Sequence, residues 1–234
     1  PISSPPLESM LAGVGRIGIV FSDITRATPN RLILPPILDV ISHSGITDED
    51  VILFNATGTH RTNTTDELYE LLGKEIADRF EIVQNVSSDS STHVNVGQTS
   101  GGNQILLNKK LVRCDLRILT GYIEPHFFAG YSGGGKAIMP GCASLETILH
   151  NHGAEHIDDP DSTWGELDAN PIANDVREAA HMAGPSFLVN VTLNRDRKIT
   201  GVFAGDIDRA HREGCDFVAK RAIRPVDGLY DIVI

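Results

Sequence analysis

The sequence predicts an α/β fold: a layered domain with a largely parallel sheet flanked by helices. Apolar segments with strand character alternate with helical segments along most of the chain, and this alternation is typical of parallel sheets. The stretches after several predicted strands are polar or rich in glycine, as in α/β proteins that bind ligands at the carboxyl edge of the sheet. With 41% hydrophobic and 22% charged residues among 234, the composition is that of an ordinary globular protein.

The first two strand–helix units are recognised by the residues at their ends. Strands are expected at two apolar segments, 16–21 and 51–56. The helix after the first strand is expected over 30–44, because Gly45 stops it, and Pro35 and Pro36 are tolerable only in or near its first turn. The helix after the second strand begins at Thr64–Glu67, whose sequence fits a capping box.

The middle of the chain has a less regular pattern. Residues 81–86 have strand character, whereas 87–102 are polar and are predicted to form a long loop. Residues 105–112 fit the periods of a strand and a helix equally well. A further strand at 116–120 leads directly into a glycine-rich stretch, Gly121–Gly141, which we call the glycine loop.

The last third of the chain contains further helix and strand signals. Ser144 is predicted to cap a short helix that carries His150 and His152. A longer helix, a hairpin-like pair of strands and a last helix follow, at 171–182, 187–193 with 198–203, and 207–223. Pro225 breaks that last helix, and a fresh apolar strand follows it. We therefore expect one domain over 1–224, with 225–234 forming the hinge and first strand of a second domain that is otherwise absent.

Charge and cysteine content limit the classes of partner. The net charge of −11 argues against binding to nucleic acid or to anionic membranes. No apolar run reaches membrane-spanning length, and the three cysteines are far apart and form no paired motif. This pattern is typical of a cytoplasmic protein.

Three loops that follow predicted strands carry the candidate catalytic side chains. His60 and His126 form a candidate acid–base pair, because histidine exchanges protons near neutral pH. Arg26 is suited to clamp a carboxylate or phosphate, and Asp23 to orient it or to bind a ribose hydroxyl. The alternative is a set of hydrogen-bonded loop histidines and a surface ion pair of little energetic value. Arg61 allows the same two interpretations.

The glycine-rich stretch resembles a phosphate-binding loop only in part. Gly130, Gly135 and Lys136 match that pattern, but Ala137 lacks the hydroxyl that would hold Mg²⁺. Lys136 is a candidate phosphate ligand or, if desolvated, a nucleophile, and the alternative is a solvated loop lysine. A second glycine motif at 13–18 precedes its strand, so it does not predict a dinucleotide site.

Three histidines allow a transition-metal site. His150, His152 and His156 follow one another closely, and the last two have helical i, i+4 spacing. Gly153 lies between them, and no carboxylate or cysteine spacing completes a zinc pattern. One histidine as a ligand is therefore as plausible as three.

Taken together, these motifs resemble the nickel-pincer lactate racemase family. The matching segments are Asp23–Arg26, Thr57–Arg61, Pro125–Lys136 and Asn151–His152. The resemblance implies a fold of two α/β domains with the cofactor between them. It also implies a nickel-pincer nucleotide, in which a pyridinium mononucleotide carries the sulfur groups that bind nickel.

The resemblance further implies a role for each motif residue. Lys136 would join the cofactor through a thioamide, and His152 would bind nickel. His60 and His126 would be the acid–base pair, and Asp23 and Arg26 would hold substrate. The remaining cofactor contacts would come from Thr59, Ser132, Gly133, Gly134 and Gly135, with the glycine loop receiving the phosphate.

The implied activity is racemisation of lactate or a related 2-hydroxy acid. Removal of hydride, while one histidine takes the hydroxyl proton, gives a planar 2-keto acid that accepts hydride on either face. The implied partners are this small substrate and the proteins that make the cofactor. The alternative is a nucleotide- or phosphate-binding module that uses the same glycine loop without racemase activity.

Overall fold

The computed structural model describes residues 1–224 and residue 228. Its strands are β1 (Ile17–Ser22), β2 (Val51–Ala56), β3 (Glu81–Gln84), β4 (His93–Gln98), β5 (Gln104–Asn108), β6 (Leu116–Tyr122), β7 (Pro125–His126), β8 (Gly130–Tyr131), β9 (Ser186–Leu193) and β10 (Ile199–Gly205). Its helices are α1 (Leu7–Met10), α2 (Asn30–Ser42), α3 (Thr65–Leu72), α4 (Lys74–Arg79), α5 (Lys109–Val112), α6 (Leu145–Asn151), α7 (Ala154–Ile157), α8 (Pro171–Met182) and α9 (Ile207–Ala222).

A six-stranded sheet organises the domain, in the order β10-β9-β6-β1-β2-β3. All neighbouring pairs are parallel except β10 with β9, which form an antiparallel hairpin. β6, β1 and β2 lie side by side in this sheet. The predicted α/β fold with a largely parallel sheet is confirmed.

Helices cover both faces of the sheet because the central strands are apolar on both sides. In β1, Val20 packs into a core with residues of α8 and α9, whereas Ile19 and Phe21 pack into a core with α1 and α2. All three side chains are fully buried. Such two-sided burial is typical of parallel strands.

In the middle of the chain, the structure contradicts one prediction and resolves one segment that the sequence left ambiguous. Part of the expected loop over 87–102 forms β4, which pairs antiparallel with β5 in a separate two-stranded sheet. β4 is mostly exposed or half-buried, so its polar sequence gave no strand signal. The ambiguous segment 105–112 is β5 followed by α5.

The prolines of α2 lie in its second turn rather than its first. A proline removes one backbone hydrogen bond from a helix and crowds the preceding turn. Here Pro35 and Pro36 are exposed, as are Arg31 and Leu32, so water can reach the carbonyl groups that lose their partners. Burial of Leu34 and Ile37 on the opposite face holds the helix against the sheet.

The C-terminal predictions fall largely on residues that the structure does not describe. The expected hinge at Pro225 and the expected strand over 229–234 both lie outside the described part of the chain. Within the described part, α9 ends at Ala222. Among those same residues, no helix has the length and hydropathy needed to cross a membrane.

Candidate active site

The loops after β1, β2 and β6 meet at one edge of the sheet. These strands are parallel neighbours, so their carboxyl ends point to the same side. Asp23 follows β1, His60 follows β2, and His126 follows β6. This convergence of loops is the one that the sequence predicted.

Asp23, Thr25 and His60 form a hydrogen-bonded group that we call the His60 cluster. Nδ1 of His60 lies 2.5 Å from Oδ2 of Asp23, and the Thr25 hydroxyl donates to Oδ1 of Asp23 at 2.6 Å. The Asp23 side chain is 2% exposed and that of His60 is 41% exposed. Because an ionised carboxylate only accepts, Nδ1 of His60 carries the proton, and Nε2 is left unprotonated in the neutral ring.

The partner of Asp23 differs from those that the sequence suggests. The sequence suggests Arg26 or a ribose hydroxyl, but the Asp23 carboxylate pairs with His60. Arg61 forms a salt bridge with Glu67 at 2.6 Å on the surface, which is the structural alternative that the sequence allowed. Thr59 is exposed.

His126, Phe128, Lys136 and His152 form a second group, the Lys136 cluster. The ring of Phe128 packs edge-on against His126 with centroids 4.6 Å apart and against His152 at 4.9 Å. Nζ of Lys136 lies 5.8 Å from the centre of the same ring. One aromatic side chain therefore touches both imidazoles and lies beside the amine.

Burial brings the pKa values in the Lys136 cluster to about 7 or below, so at pH 7 both imidazoles and about half of the Lys136 amines are neutral. Burial, together with the charge of Arg26, lowers the pKa of Lys136 to about 7. Burial also lowers the pKa of His126 to about 3, assisted by the charges of Lys136 and Arg26, and that of His152 to about 4. Desolvation disfavours the charged forms of all three groups.

His152 is the histidine of the HxHxxxH segment that belongs to this site. It follows the last residue of α6, and its buried Nδ1 has no partner among the described residues. Gly153 separates α6 from α7, so His152 and His156 do not share a helix face. His156 instead packs against His150, with ring centroids 5.5 Å apart. No cluster of three or more metal-binding side chains occurs in the described part of the chain.

The glycine loop is shaped by the protein that surrounds it. Gly134 has φ +55°, and its N–H donates to Oδ1 of Asn190 at 2.7 Å. A Cβ at Gly134 would lie 2.7 Å from the ring of His211, and Nε2 of His211 donates to the Ser132 carbonyl at 2.9 Å. The Gly134 amide is thus already occupied, and the predicted role of this loop as a phosphate cradle loses one donor.

The other loop residues have local partners too. The Ser132 hydroxyl donates to the carbonyl of Tyr122 at 2.9 Å and accepts from the Glu124 N–H at 3.0 Å. A Cβ at Gly133 would lie 2.5 Å from Asn190 Oδ1, and one at Gly135 would lie 3.0 Å from the Ala180 methyl. Close packing against Asn190, His211 and α8 is therefore sufficient reason for these glycines.

A cavity of about 310 Å³ lies behind the glycine loop, between α8 and α9. Arg177, Arg209 and Arg212 line it, together with Lys136 and the apolar residues of α8. Arg177 uses its guanidinium on neutral oxygens, those of Asn174 and Leu167. Sequence reasoning missed this cavity, because its arginines come from two separate helices.

Comparison with known proteins shows which family contains this arrangement. The family model of the lactate racemase N-terminal domain matches residues 1–165. The chain belongs to the lactate racemase family. The matched residues include both histidines, Lys136 and His152, whereas Asn190 and the cavity arginines lie outside them.

Individual relatives agree with this assignment. The lactate racemase of Lactiplantibacillus plantarum is 42% identical over 225 residues, which cover 96% of this chain and 53% of that protein. The lactate racemase of Thermoanaerobacterium thermosaccharolyticum is 39% identical over 222 residues, which cover 95% and 52%. This chain therefore spans about half the length of these members of the lactate racemase family.

Solved structures extend the similarity to the fold. The lactate racemase apoprotein of T. thermosaccharolyticum superposes with a TM-score of 0.91 at 38% identity, covering 94% of this chain and 52% of that one. A Thermotoga maritima protein has a TM-score of 0.80 at 22% identity, with 94% and 59% coverage. The second match shows the fold alone.

Proposed function

We propose that this chain carries the acid–base and cofactor-binding residues of a racemase that acts on lactate or a related 2-hydroxy acid. The observation that supports the proposal best is the Lys136 cluster, in which an amine of lowered pKa lies beside two neutral imidazoles. It stands at the same sheet edge as the His60 cluster, in a chain 42% identical to a lactate racemase. The proposed location is the cytoplasm, in keeping with three free cysteines.

The residues present fit a nickel-pincer nucleotide. A neutral lysine amine is needed for acylation, and the pKa of Lys136 is lowered to about 7 by burial. A histidine binds a metal only through a neutral imidazole, and burial keeps His152 in that form. We assign Lys136 to covalent attachment and His152 to nickel, with further contacts from Thr59 and from residues 132–135. Proteins that make the cofactor would be its partners.

The chain's own residues would accept the hydroxyl proton of the substrate and bind its carboxylate. When bound, the cofactor supplies a hydride acceptor. Nε2 of His60 is held outward by the Asp23 bond at Nδ1, and it would take the hydroxyl proton of one enantiomer. His126, neutral because of burial, would take the proton of the other. The charge of Arg26 reaches both His126 and Lys136, so its guanidinium is placed to hold the substrate carboxylate.

A test of the proposal uses substrate labelled at the α carbon. The chain, extended to the length of its relatives, is produced with the cofactor-making proteins and given α-deuterated 2-hydroxy acids of both hands. We expect racemisation of lactate or a close analogue with the deuterium retained at the α carbon. Loss of the label to water would show direct proton abstraction, and absence of turnover in nickel-loaded protein would contradict racemase function.

The alternative, a phosphate- or nucleotide-binding module, is favoured by the arginine-lined cavity. Arg177, Arg209 and Arg212 line about 310 Å³, and although Arg212 also bonds Asp168 and Asp208 lines the same cavity, this set of guanidinium groups would suit a small phosphate-bearing ligand. Titration of unloaded protein with inorganic phosphate and with a mononucleotide tests this. Two results together would favour the module. The first is saturable binding that Arg177→Gln weakens. The second is the absence of both adduct and racemase activity in protein produced with the cofactor-making proteins.

A further inference from the structure

Three buried polar atoms without partners surround the end of α6. They are Nδ1 of His152, Oδ1 of Asn151 and Oδ1 of Asp175, as judged within the described part of the chain. A buried polar atom that makes no hydrogen bond is costly, and native proteins contain few of them. Three in one neighbourhood, next to the proposed nickel ligand, call for a functional explanation.

The Asp175 carboxylate is held firmly by one of its oxygens and not by the other. Asp175 lies in α8 and is 5% exposed. Its Oδ2 accepts from the side-chain amides of Asn103 at 2.8 Å and Asn151 at 2.9 Å. These donors come from the turn between β4 and β5 and from α6, so three separate parts of the fold fix the carboxylate. Its Oδ1 is left free.

A structural role alone does not explain a charged residue at this position. An asparagine oxygen could accept the same two amide hydrogens without burying a negative charge. A buried carboxylate is expected where it faces a cation or a strong donor. Asp175 bonds Asn151, the residue next to His152 in the chain. The carboxylate and the imidazole therefore share one buried neighbourhood, in which each has an atom unpartnered among the described residues.

We propose that Asp175 is a positioning residue for His152, its Oδ1 accepting a hydrogen bond from a bridging water to which the Nδ1–H group donates. The bond would fix the ring orientation and leave Nε2 unprotonated and available to a metal. Histidines that bind metals usually donate their other N–H in this way. The metal part of this inference rests on the proposed function, whereas the hydrogen bond and the tautomer do not.

Asn151 supplies the competing acceptor. Its Oδ1 is also unpartnered, but it is a neutral amide oxygen. A charge-assisted hydrogen bond to a carboxylate is stronger than one to an amide, so Asp175 is the better partner. If Asn151 were the acceptor, replacing Asp175 would leave the tautomer of His152 unchanged.

The first experiment reads the tautomer in unloaded protein. Long-range ¹H–¹⁵N spectra of labelled protein report which ring nitrogen carries the proton, and His152→Ala assigns the signals. We expect the Nδ1–H form in the wild type and a shift toward the Nε2–H form in Asp175→Asn. Glu178→Gln is the matched control, because Glu178 lies one turn further along α8 and bonds Ser100 instead. A wild-type His152 in the Nε2–H form overturns the proposal, whether or not any variant folds.

The second experiment reads nickel retention in protein produced with the cofactor-making proteins. Asp175→Asn should keep the adduct mass on Lys136 but bind nickel about 10- to 100-fold more weakly in competition with a chelator, with Glu178→Gln unchanged. Equal nickel retention in all three proteins overturns the metal role of Asp175. If wild-type protein acquires neither adduct nor nickel, the proposed function fails, and the tautomer measurement alone decides the water-bridged bond between Asp175 and His152.

Discussion

The His60 cluster and the Lys136 cluster lie at the same sheet edge but control protons by opposite means. In the His60 cluster, a buried carboxylate bonds an imidazole that is partly open to solvent. In the Lys136 cluster, aromatic packing and burial lower the pKa values of an amine and two imidazoles. One half of the site thus orients its histidine through a carboxylate, and the other lowers the pKa values of its groups by excluding water.

This difference shows how two histidines in one site acquire different properties. An imidazole that donates from Nδ1 to a carboxylate has a fixed tautomer and ring orientation. An imidazole in an apolar wall beside a lysine and Arg26 is held in its basic, neutral form. The two histidines are therefore not interchangeable in the unloaded protein, even though a racemase must serve both hands of its substrate.

The largest expected effect is the loss of cofactor attachment when the amine of the Lys136 cluster is removed. Lys136→Ala should abolish the covalent adduct, because no other described amine lies beside His126 and His152. His152→Ala should keep the adduct and weaken nickel binding. Denaturing intact mass and metal analysis measure both, with Lys198→Ala as a control on an exposed lysine. Adduct mass on the Lys136→Ala protein would refute the assignment.

Replacing the two histidines separately tests whether the two clusters share one reaction. His60→Ala and His126→Ala should each lower turnover by about 10²- to 10⁴-fold, the usual contribution of a general acid or base. Asp23→Asn should lower turnover less, because His60 remains but loses its fixed tautomer. The measurement is kcat for each enantiomer in cofactor-loaded protein with unchanged circular dichroism. Near-normal rates in either histidine variant would remove that residue from the mechanism.

The lowered pKa of Lys136 predicts an unusual labelling profile. A lysine is acylated only as the free amine, so labelling of Lys136 should rise with pH through a midpoint near 7. An ordinary exposed lysine titrates near pH 10, and Lys198 in the same digest supplies a profile for comparison. Peptide mapping after brief acetylation of unloaded protein gives both curves. A midpoint near 10 for Lys136 would show that the cluster does not exclude water.

A smaller effect, on the free energy of unfolding, should distinguish the close packing around the glycine loop from backbone strain at a glycine. Gly45 and Gly134 both have positive φ, but a Cβ at Gly45 meets nothing within 4 Å whereas one at Gly134 meets the His211 ring. Gly45→Ala should cost about 1 kcal/mol of unfolding free energy from strain alone. Gly134→Ala should cost about 1–3 kcal/mol more from overpacking. Urea denaturation measures both changes. Equal losses of unfolding free energy would show that the glycine loop moves aside without cost to accept the Cβ.

The sequence predicted the elements whose ends carry strong local signals. Asn170 and Pro171 begin α8, and Gly184 lies just beyond its end, so the predicted and observed helix coincide. The capping box at Thr64 and Glu67 is present as expected. β4 was missed because strands of a small exposed sheet need few apolar residues, and the polar sequence from His93 to Gln98 satisfies that requirement.

The sequence indicated which loops share the sheet edge but not the interactions between their side chains. Strand order brings Asp23, His60 and His126 to one edge, which the strand–loop pattern indicated. The Asp23–His60 bond, by contrast, depends on side-chain directions that no local pattern specifies. Asn190, His211 and Asp175 were missed for a related reason. Each acts from an element distant in sequence from the residue that it supports.

The adjacency of β1 and β6 sets the order in which the site can form during synthesis. The Thr120 hydroxyl donates to the Val20 carbonyl, a partner 100 residues away along the chain. During synthesis, the second edge of β1 therefore stays unpaired until β6 has been made. Such long-range parallel pairing is slow, because loop closure precedes any gain from the contacts. A nascent chain ending before Leu116 would expose one edge of β1, and a ribosome-bound series of lengths should acquire protease resistance only once β6 has emerged.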